Sequence, residues 1–98
     1  MKQAKNLKVG DTLYRSDAYF INVSIAQVIE IQVGQGGSYY IRYEFCNSHQ
    51  VEWAVGWDGS HTEIENDEYG SMLYFSKEAL LNGINKAIDK LRKLGDNI

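Results

Sequence analysis

Ninety-eight residues, 44% of them apolar and 23% charged, fit one globular domain with a single small core and argue against disorder. Thirteen acids against ten bases leave a net charge of −3, which is not the basic footprint of a nucleic-acid binder. No run approaches the roughly 18 apolar residues of a membrane helix, the polar start Met1-Lys2-Gln3-Ala4-Lys5-Asn6 does not read as a signal peptide, and a single cysteine, Cys46, fits a cytoplasmic setting.

In chain order, residues 1–8 are polar and lysine-bearing and read as a loose arm. Gly10-Asp11 is a turn that launches a short strand through Leu13 and Tyr14. The stretch from Phe20 to Phe45 reads as two long strands. Apolar residues fall on odd positions in the first (Ile21, Val23, Ile25, Ile29, Ile31, Val33) and again in the second (Tyr39, Ile41, Tyr43, Phe45). Alternation across a strand makes each row one apolar, core-facing surface. Gly34-Gln35-Gly36-Gly37 between them is a hairpin turn; it lacks the Lys and Ser/Thr of a phosphate loop and precedes no helix. After a turn at Asn47-Ser48-His49, the segment from Gln50 to Trp57 alternates with Val51, Trp53, Val55 and Trp57 on one expected core face. Asp58-Gly59 is a turn pair, residues 61–65 are a weak strand centred on Ile64, and Ser71 to Phe75 is a last short strand.

The C-terminal segment predicts a helix. Ser76 is a suitable N-cap and Glu78 complements the first-turn dipole. Phe75 and Leu80 have staple spacing. Leu80, Ile84, Ala87, Ile88, Leu91 and Leu94 make one stripe, and Gly95 ends the helix. Gly83, inside the helix, marks close packing. One domain results, with the sheet over 9–75 and the helix over 76–95. The fold expected is mainly β: a curled antiparallel sheet or small barrel of about five strands, with the helix covering its open side.

Val9-Gly10-Asp11-Thr12-Leu13-Tyr14 resembles the opening "VGDxVY" strand of small SH3-like and KOW-like barrels. Phe75-Ser76-Lys77-Glu78-Ala79 resembles the "FxSKEEA" helix start of short uncharacterised barrel proteins of phages and gut bacteria. The segments from Ile25 to Ile31 and from Gly37 to Ile41 are similar to that family's second and third strands, whereas Val51 to Tyr69 replaces a shorter link. The resemblance implies an SH3-like barrel of mobile-element origin. It carries over no catalytic residue.

Cys46-Asn47-Ser48-His49 has a zinc-compatible spacing, with His61 or Asp58 as further ligands. A structural site wants four ligands rich in thiolate, so the plainer reading is an ordinary cysteine and two surface histidines. Cys46 as a nucleophile lacks an orienting third group. The acids Glu63, Glu65, Asp67 and Glu68 read as a solvated loop rather than a hydrolytic pair. No catalytic, cofactor or metal site is therefore expected.

Charge and aromatics are more informative. Glu44 to Glu68 holds seven acids and no Lys or Arg, whereas Lys77 to Lys93 holds five bases against Glu78 and Asp89. These are two solvated faces, or a dipolar surface whose acidic side meets a basic partner. Trp53 and Tyr39 are expected in the core. Tyr40, Trp57 and Tyr69, beside Glu63 and Glu65, form the expected partner-binding set, since exposed aromatics anchor interfaces. The function expected is a non-enzymatic protein-interaction module, a phage or mobile-element accessory protein acting on a host factor. The alternative is a small barrel that binds nucleic acid or nucleotides through its aromatics, Arg15, Arg42 and the lysine-rich helix.

Overall fold

The computed structural model describes residues 1–20, 22–65 and 70–96. Six strands alternate with short turns: β1 (Thr12–Ser16), β2 (Val23–Val33), β3 (Tyr39–Phe45), β4 (Val51–Gly56), β5 (Glu63–Glu65) and β6 (Met72–Tyr74), followed by the helix α1 (Lys77–Asp96). All pairings are antiparallel and the order is β4-β3-β2-β1-β6-β5. The sheet curls until its edge strands β4 and β5 nearly meet, giving a barrel-like fold with a C-terminal helix. The weak segment at 61–65 does form a strand, which brings the number to six.

The interior is built on β3, whose odd row points inward as expected: Ile41 and Tyr43 are fully buried and Phe45 nearly so, with Tyr39 packed at the end. The odd row expected for β2 is wrong in its first half. Leu13 of β1 lies opposite Ala26, and Tyr43 lies opposite Val28, so the even residues Ala26 and Val28 fill the core. Val23 and Ile25 lie on the outer face, with Ile25 50% exposed. The register then shifts between Val28 and Glu30, leaving Ile29 as an extra residue, and Ile31 turns inward against Ile41. A bulge of this kind flips the side-chain phase at one point in a strand.

β4 is inverted throughout. Its inward residues are Glu52, Ala54 and Gly56, opposite Tyr43, Ile41 and Tyr39. Tyr39 and Ile41 leave room only for the small Gly56 and Ala54 opposite them, whereas Glu52 points inward to accept from Tyr43. Trp53, expected in the core, is 48% exposed, and Val51 and Trp57 lie outside as well.

The N-terminal residues, expected as a loose arm, close one end of the barrel. Ala4–Asn6 form a single 3-10 turn whose Ala4 and Leu7 are buried in the core. The Ala4 and Lys5 amides donate to the His61 and Gly59 carbonyls, at 2.8 and 3.0 Å. The approach needs glycine at 59, where a Cβ would come within 2.9 Å of the Lys5 Cβ and 3.0 Å of the Tyr39 ring. In the VGDxVY-like segment, the Asp11 carboxylate accepts hydrogen bonds from the Lys8 amide (2.8 Å) and the Lys2 ammonium (3.0 Å). Partial burial works to raise the Asp11 carboxyl, but those two donors outweigh it and hold the group below its ordinary value.

α1 starts as its sequence predicts, with the Ser76 hydroxyl accepting the Ala79 amide at 3.1 Å. Its first two turns dock on the outer face of β1 and β6: Ala79 and Leu80 are buried against Tyr74, with Tyr14, Phe20, Met72 and Ile84 packed around them. Phe75 instead packs into the barrel core. Beyond Ile84 the helix leaves the body: Ile88, Leu91 and Leu94 are exposed, Leu91 by 67%. The helix therefore does not cover the open side of the sheet as expected: its first half packs on the outer face and its second half stands clear. At low micromolar concentration Leu91→Ala should shift stability by no more than about 0.5 kcal/mol. A urea midpoint lowered by the ~2–5 kcal/mol of a core leucine would show that this half is docked.

Gly83 sits on Tyr74. A Cβ there would lie 2.6 Å from the Tyr74 hydroxyl and 2.9 Å from two of its ring carbons. Tyr74 is buried, and burial pushes its phenol above the ordinary value, with the neighbouring Glu63 carboxylate acting in the same direction. Gly83→Ala gains about 1 kcal/mol of helix propensity, but the overlap forces the ring or the helix to move. The expected net result is a loss of about 1–3 kcal/mol, read as a lower urea midpoint; an unchanged or higher midpoint would place the helix elsewhere.

Candidate protein-binding surface

The inversion of β4 places an apolar row on the outside. On the outer face of the β3–β4 ribbon, Tyr40 pairs with Val55, Arg42 with Trp53 and Glu44 with Val51. Tyr40 is 38% exposed. The Arg42 guanidinium lies 5.7 Å from the Trp53 ring centroid and 3.7 Å from the Glu30 carboxylate, between an aromatic and an acidic neighbour.

The row ends at the seam between the two edge strands. There Val55, Trp57, His61, Glu63, Ile64 and Glu65 line a cleft of about 210 Å³. Ile64 points inward against Leu73 and meets Gly56 across the seam. The alternation of β5 therefore turns Glu63 and Glu65 outward, beside Tyr74 and Met72. Trp57, just past the end of β4, is 75% exposed. Neither glutamate has a cation within ion-pair distance among the described residues. Hydrogen bonds from the Ser60 hydroxyl and amide hold the exposed Asp58 carboxyl in the loop below its ordinary value, and His61 adds a smaller pull. The cleft thus sets an exposed tryptophan beside two carboxylates that meet no cation among the described residues.

Of the expected partner-binding residues, Tyr40, Trp57, Glu63 and Glu65 share one continuous surface, and Tyr69 lies outside the described residues. Trp53, which the alternation predicts in the core, lies on the same outer face. The sequence carries a signal for this: Ala54 and Gly56 are small residues of the kind that a strand facing Ile41 and Tyr39 requires.

Other polar groups are placed differently. Inside the barrel mouth, Arg15 donates to Glu52 at 2.9 Å, and Tyr43 donates to the other Glu52 oxygen at 3.1 Å. The Arg15 guanidinium also lies 5.5 Å from the Phe45 ring centroid. Cys46 is exposed, and it shares a shallow cleft with His49, whose Nδ1 lies 3.0 Å from the Glu44 carboxylate. His61 belongs to the other cleft. Among the described residues no three His, Cys, Asp or Glu side chains are grouped to hold a metal ion. No helix among them is long and apolar enough to cross a membrane.

Comparison with protein-family models, curated proteins and solved structures found no match to this chain.

Proposed function

We propose that this chain is a non-enzymatic interaction module that binds a protein partner carrying a basic surface, through the outer face of β4 and the acidic cleft beside it. The observation that carries the reading is the arrangement of Trp57, three-quarters exposed, in one cleft with two glutamates that have no ion-pair partner among the described residues. A rigid aromatic loses little conformational entropy as an anchor, and the uncompensated acids steer a cationic partner. The setting we attach to it is cytoplasmic, as an accessory protein of a phage or mobile element acting on a host factor. That setting rests on the single cysteine and on the resemblance of the two short motifs.

The nucleic-acid reading is weaker on two counts. Arg15 and Arg42, which it would use, each lie on a carboxylate, and the acidic cleft repels phosphate from the aromatic face. The test is capture from an extract of the source cell by the immobilised protein, before and after nuclease treatment and across a salt series. Binding to nucleic acid falls steeply with salt and disappears with nuclease; a partner held by aromatic contacts survives both.

A further inference from the structure

Among the described residues two apolar faces of opposite charge have no partner. One is the β4 face, with Trp53 and Trp57 beside Glu63 and Glu65. The other is the far half of α1, where Ile84, Ile88, Leu91 and Leu94 recur on one side of the helix and the last three are exposed. Lys90 and Arg92 adjoin Leu91 and, at about 100° per residue, flank that stripe on its two sides. Residues 84–96 hold Lys86, Lys90, Arg92 and Lys93 against Asp89 and Asp96. A half-helix standing in water with an apolar stripe is marginal by itself, so the stripe is stabilised when something covers it.

We infer that the far half of α1 is covered by the β4 face of a second copy of this chain. Charge complementarity selects this occupant. A symmetric helix–helix pair would bring two basic segments together, whereas the acidic cleft supplies the opposite charge next to exposed tryptophans. About a two-fold axis each copy gives its helix and receives its neighbour's, which forms a closed dimer with two equal contacts rather than a filament. The inference rests on the reading of the β4 face as protein-binding and adds that the chain masks this face itself, so that a foreign partner competes with the dimer.

The test is the mass of the full-length protein in solution, measured by sedimentation equilibrium at low salt over a rising concentration series. The wild type should pass from monomer to dimer. Glu63→Lys with Glu65→Lys should halve the mass at a concentration where the wild type is dimeric, and so should Lys90→Glu with Arg92→Glu. The four substitutions together should restore the dimer, because the charges are exchanged between the two faces; circular dichroism checks that each variant is folded. A wild type that stays monomeric throughout overturns the inference, and capture of a foreign partner would still stand. A dimer that survives Glu63→Lys with Glu65→Lys but is lost with Leu91→Glu is a helix–helix pair and overturns it too, as does a quadruple variant that stays monomeric while both double variants are folded.

Discussion

Tyr43→Ala should cost about 3–5 kcal/mol, a large part of the ~5–15 kcal/mol that holds a domain of this size together. Tyr43 is fully buried at the centre of β3, opposite Val28 on one side and Glu52 on the other. Its ring meets the Phe45 ring edge-on, with centroids 5.6 Å apart and planes at 81°. Truncation leaves a cavity among rigid strands that collapse poorly, and it removes the hydroxyl that donates to Glu52. Tyr43→Phe separates the two contributions. It keeps the ring and loses one hydrogen bond to a carboxylate that retains Arg15, so it should cost only about 1–2 kcal/mol. Urea unfolding followed by circular dichroism reads both. A Tyr43→Ala variant within 1 kcal/mol of wild type, by the same order-of-magnitude scale, would mean that the barrel interior is not packed around this residue.

Trp57→Ala should weaken partner binding by roughly 2 kcal/mol or more, about thirtyfold, while leaving stability within about 0.5 kcal/mol. The separation of the two effects is the content of the prediction. Trp57 is exposed, so its loss opens no cavity. It lines the cleft that holds Glu63 and Glu65, so its loss removes the largest apolar surface there. Glu63→Lys with Glu65→Lys should act differently, slowing association and altering its salt dependence. Quenching by a soluble agent gives an independent check, since both tryptophans should be accessible. A Trp57→Ala protein that unfolds, or a tryptophan signal shielded from quencher, would return this residue to the core.

The sequence shows much of this architecture wherever one physical rule acts alone. The odd row of β3, the Ser76 cap and the packing role of Gly83 all follow from alternation, capping and glycine's missing side chain. The misreadings come where a period-two pattern meets a tertiary constraint. β2 is apolar on both faces, and the phase change at Ile29 is marked only by Gln27 breaking the odd row and by the adjacent pair Val28-Ile29. In β4 the apolar row is the outer one, because Ile41 and Tyr39 already fill the interior and leave room opposite them only for Ala54 and Gly56. That inversion turns Trp53 outward, onto the same outer face as Tyr40, while Trp57, Glu63 and Glu65 line the cleft at its edge. Similarly, the helix stripe reads as one continuous core face, yet the sheet is long enough to bury only its first half.

The most direct measurement of the proposed role compares the wild type, Trp57→Ala and Glu63→Lys with Glu65→Lys as bait in nuclease-treated extract of the source cell, with the captured proteins quantified by mass spectrometry. One protein with a basic surface should be enriched by the wild type and lost with both variants, while each bait remains folded. Equal capture by all three, or a catch that vanishes with nuclease, would contradict a protein-binding surface at the β4–β5 seam.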